Sequence, residues 1–311
     1  MNRSPMRPLR SVLFVAGSDP DEIDKGLNSG ADAVIIDLEE PRTPFTEAQR
    51  VEARALVSSV LERAPVAGRA PLLFSRVQAP RTGQMLKDLR AVLHPSLTGI
   101  VVPKSLGPDD IVAADAVLTN AEVEAGLPAG RVVIYPILET APALRLAYEI
   151  AMASPRVAYM GGALSRFGDI HQAIGFRWTA EGRETLFLRS RALIDARAAG
   201  IRYPISGMWG GATDDVDGFR RFATELRDLG YYGMMLGRAE HVALAHEMFT
   251  PSAAEVAYWR ELVTLADEAE RNGSGPIHHG DPNQGEAYVV HGAHIGSARL
   301  NLEWAQALGV A

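Results

Sequence analysis

Six polar residues stand where short apolar runs end, and their types suit metal-assisted carbonyl chemistry. Glu139 closes the run VVIYPILE at residues 132–139, in which five of eight residues are Val, Ile or Leu. Such a run reads as a fully buried strand of a parallel sheet. A carboxylate at its end is costly unless something pairs with it. Asp37 and Glu39 follow the run 33–36, Arg76 lies near the end of 72–77, Lys104 follows 99–102, and Asp169 lies just beyond 157–160. Two carboxylates from neighbouring strands, with positions left for water and substrate, suit an octahedral divalent cation such as Mg²⁺ or Mn²⁺. That cation would act as a Lewis acid on a carbonyl and stabilise a developing enolate. An arginine alongside suits bidentate capture of a substrate carboxylate. The competing reading of Glu139 is a helix-capping residue.

The elements needed to bring these residues together recur along the chain. Strands are expected at 11–15, 33–36, 72–77, 99–102, 132–139, 157–160, 204–208 and 233–236. Helical patterns separate them at 21–29, 46–63, 83–93, 108–125, 142–152, 184–199 and 217–229, and one more follows at 240–248. Eight strand-then-helix units predict an α/β fold of the closed (β/α)8 TIM-barrel type, with an open doubly wound sheet as the competitor. In such a barrel the C-terminal strand ends carry the site. No Gly-rich dinucleotide fingerprint follows the first strand, and no P-loop is present. The expected division is a barrel catalytic domain at 1–250 and a C-terminal extension at 251–311 packing on the barrel or on a neighbouring subunit. That extension reads as a helix at 253–271, a Gly/Pro/Asn-rich loop at 272–286, a short strand at 287–290 and a final helix at 300–308.

Composition narrows the classes. The chain has 311 residues, a net charge of −7 and no cysteine. Disulfides, thiolate catalysis and Cys-ligated zinc are excluded. Mild acidity argues against nucleic acid as a partner. The apolar run near the N-terminus is too short for a signal peptide or a membrane span, so a cytoplasmic protein without membrane association is expected.

Several motifs in order resemble one family. Arg10-Ser11-x-Leu13-Phe14-Val15 with Gly17, then Gly30-Ala31-Asp32-Ala33-x-Ile35-Ile36-Asp37-Leu38-Glu39, are similar to the opening of citrate lyase β-subunit-like proteins of the HpcH/HpaI aldolase superfamily. Arg76-Val77, Val102-Pro103-Lys104, Glu139-Thr140-Ala141 and Phe249-Thr250-Pro251 extend the likeness from about Arg10 to the C-terminus. The resemblance implies a Mg²⁺-dependent barrel lyase, and the donor types equally suit Mn²⁺. Such enzymes cleave or form C–C bonds in citryl-CoA, malyl-CoA and similar 3-hydroxyacyl thioesters, or in 2-oxo acid aldols. It also implies a homo-oligomer, a trimer or hexamer.

Carried over by residue, the resemblance makes Glu139 the first metal ligand and Asp169 the second. Arg76 becomes the substrate-carboxylate arginine, and Asp37 and Glu39 the residues orienting metal-bound waters. Asp37 and Glu39 read equally as salt-bridge partners of Arg76 or Lys104. Lys104 reads either as substrate-binding or as a brace of the site. Arg166, in a longer loop at 161–168, reads as a contact to a substrate anion or as a solvated surface residue.

The departures fall elsewhere. The family's C-terminal Asp-Gly-x-Met-Ile-Asp-x-Pro run, whose second Asp serves a neighbouring subunit's site as acid/base, is matched here by His291 to Ala298, with Gly296 at the Asp position. His294, two residues away, has a ring suited to proton transfer near neutrality. The competing reading is a surface histidine alongside His278, His279 and His291, whose spacing fits no standard zinc set. The eighth-strand run and the proline after the first strand also differ, the latter being Ala16. The expected function is a Mg²⁺-dependent C–C bond lyase acting on a carboxylate-bearing 2-oxo or hydroxy acid or its CoA thioester. The rivals are hydrolysis of an acyl-CoA thioester at the same metal, and a non-catalytic homologue keeping fold and metal site.

Overall fold

The structure, a computed structural model, describes residues 6–65, 71–273, 276–280 and 287–311. It divides into two compact units, Met1–Phe249 and Thr250–Ala311.

The first unit is a barrel of eight parallel strands. They are β1 (Ser11–Ala16), β2 (Ala33–Asp37), β3 (Leu72–Arg76), β4 (Leu97–Val102), β5 (Val133–Leu138), β6 (Gly161–Gly162), β7 (Ile205–Met208) and β8 (Gly233–Leu236). Their order is β6-β5-β4-β3-β2-β1-β8-β7. The two ends approach through Ile205 N–H to Met160 O at 3.5 Å and Met208 N–H to Leu164 O at 3.0 Å, so the barrel is nearly closed. Around it run α1 (Pro20–Leu27), α2 (Glu47–Arg63), α3 (Met85–Val92), α4 (Pro108–Glu124), α5 (Ala141–Arg145), α6 (Ala147–Met152), α7 (Asp169–Ile174), α8 (Leu186–Ala198), α9 (Val216–Leu229) and α10 (Val242–Met248). The expected (β/α)8 class is the one observed.

Two apolar layers hold it. Between strands and helices lie the side chains facing outward from the sheet, such as Val34, Ile36, Ile100 and Ile134, packed on Leu61, Leu89 and Leu118. Inside the barrel lie Val12, Ile35, Phe74, Val101, Tyr135, Tyr159 and Met235. Phe74, Tyr135 and Tyr159 meet with ring centroids 5.8–6.0 Å apart, within the range for favourable aromatic pairs.

The sixth strand departs from expectation. Residues 157–160 hold the apolar run, but Val157 makes only a single bridge, to Ile134. The paired strand is Gly161–Gly162, opposite Ile137 and Leu138. The reason is volume. Tyr159 turns into the barrel beside Tyr135, and a Cβ on Gly161 would lie 2.6 Å from the Tyr135 hydroxyl. Only a residue without a side chain fits where the sheet is squeezed, so the paired strand begins directly after the apolar run rather than within it.

The expected helix 142–152 is broken into α5 and α6 at Leu146, whose φ of −111° interrupts the helical path. Beyond the barrel, the second unit contains α11 (Ala253–Asn272), an antiparallel pair β9 (His278–Gly280) and β10 (Ala287–Val289), and α12 (Gly292–Ala307). Its core includes Leu262, Val290 and Ala298. Of the expected loop 272–286, residues 274–275 and 281–286 lie outside the described residues, and 278–280 form a strand. The final helix starts eight residues earlier than expected, so His294 and Gly296 lie within its first turns. His294 Nδ1 accepts the His291 N–H at 2.9 Å, and its ring lies 4.9 Å from that of Tyr288. No helix among the described residues is long and apolar enough to cross a membrane.

Candidate metal centre and substrate cavity

The strand register itself builds the first half of the site. Asp37 and Arg76 are Cα partners at the last pair of β2 and β3, so their side chains leave the sheet side by side. Arg76 Nε donates to Asp37 Oδ1 at 2.8 Å and Nη2 to Oδ2 at 2.6 Å, a bidentate pair. Arg76 Nη1 lies 3.6 Å from Glu39 Oε2. Burial works against the Arg76 charge, but Asp37, Glu139 and Glu39 overcome it and raise its pKa. The ring of Phe14 lies under the guanidinium, 5.3 Å from Cζ.

Glu39 is held from behind. Its N–H donates to Asp37 Oδ1 at 2.9 Å, and its carbonyl accepts from Arg50 Nη1 at 3.0 Å and from the Gln78 side-chain amide. Its carboxylate takes the Lys104 ammonium at 2.7 Å. Lys104 in turn donates its backbone N–H to Glu139 Oε1 at 2.8 Å.

Glu139 follows β5 directly, and Thr140 caps α5 by accepting the Ala143 N–H at 3.0 Å. The cap therefore belongs to Thr140, and the Glu139 carboxyl is left to face inward. It is 8% exposed. Burial pushes its pKa up to about 7, against the pull of Arg76 and the Lys104 N–H, with Asp169 and Glu39 adding to the rise. A carboxyl so placed binds either a proton or a cation. Asp169 opens α7 on the adjoining unit, 3.6 Å from Lys104 Nζ.

Asp37, Arg76, Glu139 and Asp169 line one cavity of about 370 Å³. Glu39 and Lys104 are joined to that set by ion pairs but do not line the cavity. Arg166 stands outside it: the side chain is exposed, donates to Gly210 O at 3.2 Å, and packs over Phe167 and Trp178 at 4.7 and 4.9 Å. Among the described residues no group of three or more His, Asp or Glu side chains converges as a ready ligand set. Of the carboxylates lining the cavity, Asp37 is taken up bidentately by Arg76 and Glu22 takes the Ala16 N–H, whereas Glu139 and Asp169 carry no bidentate partner.

The cavity also uses residues that the sequence did not single out. Phe14, Ile137, Met208 and Met235 add apolar lining to the cavity, and Glu22 adds another carboxylate. Phe14 and Met235 read simply as core. Glu22 was hidden by its spacing from Asp19, which suggests a local capping pair. Asp19 does accept the N–H groups of Asp21 and Glu22, at 3.0 and 3.1 Å. The Glu22 side chain instead reaches the Ala16 N–H at 2.9 Å, at the barrel mouth.

The sequence model of the HpcH/HpaI aldolase/citrate lyase family matches residues 10–239. This chain belongs to the HpcH/HpaI aldolase/citrate lyase family. Among curated relatives, a citrate lyase subunit beta-like protein of Deinococcus radiodurans is 34% identical over 274 residues, covering 88% of this chain and 90% of the relative. A (3S)-malyl-CoA thioesterase of Cereibacter sphaeroides is 28% identical over 301 residues, covering 97% and 96%. The barrel is also that of solved family structures. A citrate lyase from Burkholderia xenovorans superposes with a TM-score of 0.77 at 17% identity, covering 99% of this chain and 94% of that one. The CitE protein of Mycobacterium tuberculosis, in complex with magnesium, acetoacetate and coenzyme A, gives 0.68 at 22% identity, covering 96% and 98%. The HpcH/HpaI match spans every residue of the cavity cluster, from Phe14 to Gly237.

Proposed function

We propose that this chain is a Mg²⁺-dependent carbon–carbon bond lyase acting on a carboxylate-bearing 2-oxo or hydroxy acid, or on its CoA thioester. The observation carrying the reading is the common cavity of Glu139, Asp169 and Arg76. It joins two hard-oxygen ligands to a guanidinium suited to a carboxylate. The fit to a divalent cation rests on the Glu139 carboxyl. Its ionised form is penalised by burial and by the charges of Asp169 and Glu39, which a cation at this point would relieve. Mg²⁺, the metal present in the Mycobacterium tuberculosis CitE complex, suits this oxygen-only pair with waters completing its shell. Mn²⁺ fits the same donors. Bound there, the cation would supply Lewis-acid polarisation of the substrate carbonyl oxygen.

The chain's own residues do the rest. Asp37 fixes the guanidinium plane of Arg76 by taking its Nε–Nη2 edge, so that a substrate carboxylate would meet Nη1, which otherwise lies 3.6 Å from Glu39 Oε2. The Lys104 N–H holds one oxygen of Glu139 and leaves the other for the metal. The apolar lining of Phe14, Ile137, Met208 and Met235 excludes water from the reacting carbons. In the cleavage direction a 3-hydroxyacyl substrate gives up its hydroxyl proton and the C2–C3 bond breaks. A 2-oxo acid leaves, and C2 takes up a proton as the electron pair stays with it.

A second reading is thioester hydrolysis at the same metal. It is favoured by the (3S)-malyl-CoA thioesterase relatives, which match 97% of this chain. Product analysis separates the two. The protein is incubated with Mg²⁺ or with EDTA, against 3-hydroxyacyl-CoA thioesters and free hydroxy acids. Mg²⁺-dependent release of a 2-oxo acid is the expected result. Release of free thiol with the hydroxy acid intact would assign hydrolysis instead. Absence of either product would leave a non-catalytic family member.

A further inference from the structure

Among the described residues, two other than glycine have positive φ, Lys104 at 50° and Ala163 at 63°. They flank the end of β5 from opposite sides. Lys104 follows β4 and gives its N–H to Glu139 Oε1, and Ala163 follows β6 and gives its N–H to Leu138 O at 2.8 Å. A non-glycine residue in the left-handed region is strained, and such strain persists only where surrounding contacts impose it.

At Lys104 those contacts come from the whole acidic cluster. Its Nζ lies 2.7 Å from Glu39 Oε1, 3.5 Å from Glu40 Oε2 and 3.6 Å from Asp169 Oδ1. One residue thus touches both candidate metal ligands, Glu139 by backbone and Asp169 by side chain. Its ammonium stands among carboxylates that would otherwise repel one another.

We propose that Lys104 is a positioning residue with two parts. Its backbone N–H aims Glu139, and its ammonium is a built-in counter-ion for Asp169 that an arriving divalent cation must displace. The inference rests on the metal site proposed above. Two like charges cannot share Asp169 closely, so metal binding drives Nζ off Asp169 and onto Glu39 and Glu40, which already hold it. The ammonium therefore weakens cation binding while keeping the metal-free cluster assembled. The strained backbone fixes the N–H that the ammonium's movement must leave undisturbed.

The test is divalent-cation affinity, measured with Mg²⁺ by calorimetry and with Mn²⁺ by electron paramagnetic resonance. Lys104→Met keeps the N–H and the aliphatic stem but removes the charge. It is expected to bind both ions more tightly, by on the order of tenfold. The gain should shrink with added salt, because the ammonium is partly exposed. Lys104→Gly removes the ammonium and relieves the positive φ, and it should tighten binding as well, which keeps the test open should Lys104→Met not fold. Lys104→Arg keeps the charge and should stay near wild type. Unchanged or weaker affinity in both neutral variants, with wild-type protein binding normally, would overturn the counter-ion role alone. Failure of the wild-type protein to bind either ion would instead overturn the metal site on which the inference stands.

Discussion

Glu139→Gln is expected to bind Mg²⁺ too weakly to detect by calorimetry and to lower kcat/KM by at least about 100-fold, since a positioned metal supplies several kcal/mol to the transition state. The substitution is isosteric and removes a charge that burial makes costly, so the variant should fold. A pH signature accompanies the loss. The Glu139 carboxyl has its pKa raised from the ordinary 4.5 to about 7 in the folded chain. Between those values the folded state holds more protons than the unfolded one, so this group's contribution to stability is full below 4.5 and falls as pH rises through 7. Mg²⁺ competes with the same proton, so wild-type affinity should rise with pH across neutrality. In Glu139→Gln the rise should vanish, and thermal stability in EDTA at pH 8 should equal or exceed that of wild type. Calorimetry and melting curves across pH 6 to about 8 check both points. Undiminished Mg²⁺ binding by the variant would remove Glu139 from the metal centre.

The second large effect lies at Arg76. Arg76→Lys keeps a cation beside Asp37 but loses the planar fork, so KM for the acid substrate should rise by about 10- to 100-fold with Mg²⁺ affinity nearly unchanged. Arg76→Ala goes further, because it strands the Asp37 carboxylate, which is 6% exposed, without its partner. Breaking a buried ion pair in this way costs about 3–5 kcal/mol. Urea unfolding should show that loss for Ala and only part of it for Lys. Unaltered KM in a folded Arg76→Lys protein would mean that the guanidinium braces Asp37 and Glu39 without meeting the substrate.

Much of this arrangement was legible in the chain. The succession of eight apolar runs and helical patterns gave the barrel because parallel strands buried on both faces need continuous Val, Ile and Leu. Asp37, Arg76, Glu139 and Asp169 stood out because each stands at or beyond the end of such a run, and the barrel brings run ends to one rim. What stayed hidden depends on three-dimensional neighbours. Gly161–Gly162 has no β propensity, and the lack of side chains is what lets it pair there, since a Cβ would meet the Tyr135 hydroxyl at Gly161 and the Leu138 backbone at Gly162. The pairing of Asp37 with Arg76 follows from register, which the residues alone do not state. The grip of Lys104 on Glu139 is through backbone, so no side-chain type announces it. Arg166 shows the converse: its sequence position allowed either a contact to a substrate anion or a solvated surface residue, and the side chain is exposed, packed over Phe167 and Trp178 and not part of the cavity lining. The early start of α12 was masked by Gly292 and Gly296, poor helix formers that the helix nevertheless includes.

The most direct measurement is an anomalous diffraction experiment on crystals of the protein soaked in Mn²⁺. The account predicts one strong peak in the barrel-mouth cavity, about 2.1 Å from a carboxylate oxygen of Glu139 and from one of Asp169, as expected for an octahedral oxygen-ligated cation. A saturated crystal with its peak elsewhere, or with none between these two carboxylates, would contradict it.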